Sequence, residues 1–77
     1  MDFKKTTDDL FRRVTHDDLA GELGVSVALI RQARLSPDAE AHRSPPEGWE
    51  RAALRLAENA ATHYERVARR LRASVRS

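Results

Sequence analysis

The sequence has no cysteine, and among its 77 residues it has only three glycines, three prolines, two phenylalanines, one tryptophan and one tyrosine. Without cysteine there can be no disulfide and no thiolate zinc site. The three histidines, His16, His42 and His63, lie far apart with no ligand-like spacing, so no metal and no cofactor is expected. No apolar run approaches the roughly 18 residues of a membrane span. The segment Met1–Lys5 lacks the apolar stretch of a signal peptide. The expectation is therefore a cytoplasmic protein, nucleoid-associated if it binds DNA, with no membrane contact. There is no glycine-rich phosphate loop, no pair of carboxylates in an apolar setting, and too little chain to build a cleft, so no enzymatic activity is expected.

What the chain does have is arginine, twelve against two lysines, and abundant alanine, the compositional mark of a GC-rich bacterial or phage genome. Net charge is only +2, unevenly spread. Residues 1–49 hold seven Lys/Arg against nine Asp/Glu, and residues 50–77 hold seven Arg against three Glu. Total charge thus argues neither for nor against a nucleic-acid partner; a few placed arginines would have to carry such binding. A domain this short buries only about 60–65% of the surface its unfolded chain exposes. With disulfides and metal excluded, a partner chain is the expected source of further stability.

Helix signals recur along the chain, and strand-like alternation is absent. Thr6 with Asp9 three residues on predicts a capping box opening a short helix with Leu10, Phe11 and Val14 on one face. Thr15 with Asp18 repeats the device and opens a second helix to Leu23, closed by Gly24. Ser26 is a suitable N-cap for a third helix, and Pro37 obliges it to stop near Leu35. After a loop at 36–43, in which His42 beside Arg43 is read as solvated, Ser44-Pro45-Pro46-Glu47 combines an N-cap serine, a proline at the first helical position and an acid at the third. From there the chain reads as one helix to about Ser74. The predicted fold is all-α: a three-helix unit over residues 1–43 followed by one long C-terminal helix over 44–77.

On the third helix Leu29, Ile30 and Ala33 share one face at 100° per residue; Ala28, Arg31, Gln32 and Leu35 lie opposite, with Val27 and Arg34 at the borders. Between His16 and Leu35 the chain reads HDDLAGELGVSVALIRQARL. Ala20 is small where two helices would approach most closely, Gly24 supplies a turn, and Leu19, Leu23, Val25, Ile30 and Ala33 are apolar. This stretch resembles the helix-turn-helix of phage Cro and repressor proteins and of many bacterial regulators, over about 20 residues plus the flanking helix.

The resemblance implies double-stranded DNA as partner, with the third helix in the major groove. Base contacts would then come from Val27, Ala28, Arg31, Gln32 and Leu35, since arginine suits guanine, glutamine suits adenine, and small apolar groups meet thymine methyls. Phosphate contacts would come from Thr15, His16, Ser26, Arg34 and Arg43. Asp17, Asp18 and Glu22 would have to face away from the phosphates. The blander alternative is a plain three-helix core in which Gly24 is only a C-cap and Arg31-Gln32 a solvated face.

The long helix carries Ala52, Ala53, Leu56, Ala60, Tyr64, Val67 and Leu71 within an arc of about 120°, with Arg51, Arg55, Arg69, Arg72 and Arg76 on the other side. A helix from Ser44 to Ser74 would be about 45 Å long and would overshoot its own domain. Leu56, Ala60, His63, Tyr64, Val67 and Leu71 are therefore the expected homodimer interface, with His63 a hydrogen-bonded interface residue rather than a metal ligand. The resulting expectation is a homodimeric transcription regulator reading inverted repeats, with contact to RNA polymerase as a further partnership. An architectural, nucleoid-type DNA-binding protein is the nearest alternative. A coiled-coil adaptor that binds protein and no DNA is the alternative from another class.

Overall fold

The computed structural model describes residues 1–76. It consists of four helices: α1 (Phe3–Leu10), α2 (His16–Leu23), α3 (Val27–Ala33) and α4 (Trp49–Arg76). Among the described residues there is no strand, so the chain is all-α.

Each short helix starts on a side chain that accepts an otherwise orphaned backbone donor. Thr15 caps α2 in a reciprocal box: its hydroxyl oxygen accepts from the Asp18 amide at 3.0 Å, and its own amide donates to the Asp18 carboxylate at 3.0 Å. The Ser26 hydroxyl oxygen accepts from the Leu29 amide at 3.1 Å and starts α3. The expected start of the first helix is corrected. Asp2, not Thr6, is the N-cap, accepting from the Lys5 amide at 3.1 Å. Thr6 and Thr7 lie inside the helix, and Thr7 is fully buried. The cap lies four residues earlier than expected, at an aspartate, which caps at least as well as threonine.

The start of α4 is also corrected. Ser44-Pro45-Pro46-Glu47 stays outside the helix, which begins at Trp49 after Gly48, whose φ of +81° is left-handed. A capping sequence specifies a local option, and here the chain uses those residues to cross from α3 to α4. The last turn of α3 ends at Ala33, with Arg34 as C-cap. The connection that follows is turned rather than loose: Ala39 donates to the Ser36 carbonyl at 2.9 Å, His42 to Ala39 at 3.0 Å, and Arg43 back to Gln32 at 3.3 Å.

Phe3, Leu19, Ala20, Ile30, Ala33, Trp49, Ala52 and Ala53 form one buried cluster drawn from all four helices. Leu19 and Ile30 have no exposed surface at all, and the Trp49 ring meets Phe3 edge-on at 4.9 Å between centroids. Leu10, Phe11, Leu23, Val25, Val27 and Leu56 pack around this cluster half-buried. An ion pair of 3.1 Å between Arg55 and Glu22 ties α4 to α2. Only the first two turns of α4 take part: its buried residues are Trp49, Ala52 and Ala53. Beyond Tyr64, whose ring meets the Arg13 guanidinium, the helix projects, giving extents of 57 × 21 × 20 Å and a radius of gyration of 15.7 Å, against about 11–12 Å for a globule of this length.

Gly21 and Gly24, three residues apart, make opposite demands on the backbone. Gly24 closes α2 with φ +69°, whereas Gly21 sits inside α2, and a Cβ at either position would meet nothing within 4 Å. Space being equal, only backbone conformation separates them. Gly24→Val should lose about 1–2 kcal/mol by forcing a branched side chain into the left-handed region. Gly21→Ala should gain about 0.5–1 kcal/mol by removing glycine from a helix interior. Urea unfolding of the two variants checks both signs.

Candidate nucleic-acid interface

The turn between α2 and α3 sets the relation of the two helices. Gly24 reverses the chain, the Val25 amide donates to the Ala20 carbonyl at 3.0 Å, and Ala20 is buried beneath the turn. Ile30 and Ala33 anchor α3 from its inner side. By helical geometry the opposite side carries Ala28, Arg31 and Gln32, whereas Leu35, expected with them, lies past the Arg34 C-cap and outside the helix. Ala28 and Arg31 are exposed, Leu35 is 42% exposed, and Gln32 is half-buried. Val27 is half-buried against the core, so it offers only part of its surface to the outside. Leu29, expected to share the inner face, is half-buried and stands outside the core cluster.

Of the residues expected at phosphate, Thr15 and Ser26 both accept an amide in their caps, and each keeps a hydroxyl proton to donate outward. Arg43 is exposed, and its backbone bond to Gln32 brings it beside the end of α3. Arg34 is engaged inside the molecule. Its guanidinium donates to the Thr7 hydroxyl at 2.8 Å, forms an ion pair with the Asp8 carboxylate, and lies 4.9 Å from the centre of the Phe11 ring. Thr7 completes the arrangement by donating to the Phe3 carbonyl at 2.7 Å. In this structure Arg34 therefore joins α3 to α1, and reaching a phosphate would mean leaving three intramolecular partners. Sequence reasoning missed this because the partners lie 26 and 27 residues away and no local spacing reports them. The one available signal was a threonine among apolar helix positions, which needs a hydrogen-bonding partner when buried.

His16 stacks on Phe11 at 4.0 Å between ring centroids. Desolvation, with Arg34 and Arg31 nearby, lowers its pKa below the ordinary 6.5. At neutral pH it is an uncharged imidazole, a hydrogen-bond donor without a charge to offer phosphate. The acidic residues near this surface are mostly committed. Glu22 pairs with Arg55, and the Thr15 amide and hydroxyl hold the Asp18 carboxyl below its ordinary range. Lys4, and after it Arg34, hold the Asp8 carboxyl low in the same way.

On α4, Leu56 packs against the chain's own core, Ala60, Val67 and Ala68 are half-buried, and His63, Tyr64 and Leu71 are exposed. His63 meets Tyr64 edge-on at 5.2 Å, and the guanidinium of Arg13 sits 5.3 Å from the Tyr64 ring centre. Among the described residues no cluster of three or more potential metal ligands occurs, and no helix is long and apolar enough to cross a membrane. No protein-family model matches the chain, and neither a curated protein nor a solved structure matches it.

Two outcomes follow from these contacts. Because folding lowers the pKa of His16, the unfolded chain takes up a proton there more readily, so stability is lost as pH falls through 6.5 and below. Thermal midpoints between pH 7.5 and 5.5 should fall, and His16→Gln should flatten the part of the slope that belongs to this residue. Arg34→Met keeps the apolar contact with Phe11 but removes the bonds to Thr7 and Asp8. It should cost about 1–2 kcal/mol of stability, read from denaturant midpoints.

Proposed function

We propose that this chain binds double-stranded DNA sequence-specifically through a helix-turn-helix formed by α2 and α3, as a homodimeric bacterial or phage transcription regulator. One observation carries the reading. A short helix held from behind by Ile30 and Ala33 presents Arg31 and Ala28 outward, across a left-handed Gly24 turn from a helix whose Ala20 is buried at the approach. A groove-reading helix is likewise carried on a supporting helix behind it, and this likeness supports the reading. Thr15, Ser26 and Arg43 would flank it as phosphate contacts, and Arg31 and Gln32 would supply the polar base contacts. The same reading puts the protein in the cytoplasm, on the nucleoid and within reach of RNA polymerase.

A second reading, a protein-binding adaptor without DNA, draws on the apolar face that α4 leaves exposed beyond the core. Gel shifts on genomic fragments, with competitor DNA and varied salt, separate the two. The regulator retains a subset of fragments against excess random DNA, an architectural protein retains all of them alike, and the adaptor retains none. On a retained fragment, Arg31→Ala should cost roughly 1–3 kcal/mol while binding to random DNA changes far less. An equal loss on both would make Arg31 a phosphate contact and remove α3 from the groove.

A further inference from the structure

Six large apolar side chains are exposed among the described residues: Met1, Leu35, Leu54, Tyr64, Leu71 and Val75. Leu54 and Met1 belong to a groove of about 530 Å³ between α1 and α4, walled by Thr6 and Leu10 on one side and Ala53, Leu54 and Ala57 on the other. A smaller depression of about 230 Å³ shares Leu10 and Ala57 with it and runs on along α4 to Ala60, Ala61 and Tyr64. At 100° per residue Ala53, Ala57, Tyr64, Leu71 and Val75 fall within an arc of about 40°, so the groove continues directly into the exposed stripe of the projecting half.

We infer that this groove receives the projecting half of α4 from a second copy, the two helices running antiparallel about a two-fold axis at the Tyr64 turn. This deepens the homodimer just proposed and rests on it. Three features select this occupant and this direction. The first is size: along the arc the proximal residues are small (Ala53, Ala57, Ala60), with Leu54 at its edge, and the distal ones large (Tyr64, Val67, Leu71, Val75), so antiparallel pairing sets large on small along the arc. Centred on Tyr64, the register brings Leu71 over Ala57 and Val75 over Ala53.

The second is charge. Among the described residues the ionisable side chains lining the larger groove are Asp9 and Glu50, and the smaller depression adds Arg13 at its Tyr64 end, whereas residues 62–76 hold five arginines against the single Glu65. A parallel pair would set one arginine-rich end beside the other, and the antiparallel pair sets it beside the two carboxylates. The third is coverage: a parallel pair joined by its distal halves would leave Leu54 and the groove open. In the antiparallel register about 24 helical residues separate Ala52 of one copy from Ala52 of the other, or about 36 Å. That matches one turn of DNA, the separation at which two groove-reading helices meet successive major grooves.

The chain has no native thiol, so single introduced cysteines report the geometry without DNA. Under mild oxidation Tyr64→Cys should cross-link to itself, and a mixture of Ala57→Cys and Leu71→Cys chains should form the mixed dimer, because a disulfide needs Cβ atoms about 4 Å apart. Leu71→Cys alone should stay largely unlinked. Leu54→Arg, at an exposed position, should keep its helical circular dichroism and raise the dimer dissociation constant at least tenfold in sedimentation equilibrium. Self-linking at Leu71→Cys, an unchanged dimer in Leu54→Arg, or a wild-type chain that sediments as a monomer at micromolar concentration would each overturn the inference. An antiparallel dimer that retains no genomic fragment would uphold it and remove the DNA reading instead.

Discussion

The fold depends on the first two turns of α4 closing a core that the three short helices cannot close alone. Leu19 and Ile30 are fully enclosed in one cluster with Trp49, Ala52 and Ala53, and Phe3 stands edge-on to the tryptophan. Helices of seven or eight residues are too short to persist in water on their own. Their caps choose where they start; burial against α4 makes them last. The consequence for the candidate interface is direct, because α3 keeps its outer face free only while its inner face is held by the enclosed Ile30.

The Arg34 contacts show how a small domain uses a charge as structure. Thr7 is buried without exposure, and its hydroxyl has both a donor and an acceptor partner, Arg34 and the Phe3 carbonyl. A buried hydroxyl left without partners would cost the domain a large part of a small stability. The arginine that satisfies it also pairs with Asp8 and covers Phe11. The guanidinium nearest to Arg31 in sequence is therefore bound inward, which leaves Arg31 and Arg43 as exposed cations near the C-terminal end of α3.

Much of this was legible in the sequence wherever the determinant was local. The Thr15–Asp18 box, the Ser26 cap and the Gly24 turn act within four residues and were read at their observed positions. Capping also misled where two candidates stood close together, at Asp2 and Thr6, and where a complete signal at Ser44 was overridden by the path the chain takes to reach Trp49. Nothing local could announce Arg34 with Thr7 or Arg13 with Tyr64, since each pair exists only once the helices are packed. The groove between α1 and α4 is of the same kind: Leu10 and Leu54 become one surface through the fold, and periodicity along α4 alone identifies only its distal continuation.

The length of α4 links these levels. At 28 residues it extends about 42 Å, and its first eight residues suffice to close the core. A projecting helix with Leu71 and Val75 exposed keeps apolar surface in water for no gain to the monomer. The same residues acquire a use if the helix is a spacer whose apolar face is covered by its copy. Burial then sets the distance between two α3 helices, and the rigidity of an uninterrupted helix, with no glycine or proline after Gly48, keeps that distance fixed. In such a molecule the stability of the dimer and the spacing of the sites it reads are one quantity, set by where along α4 the two-fold axis falls.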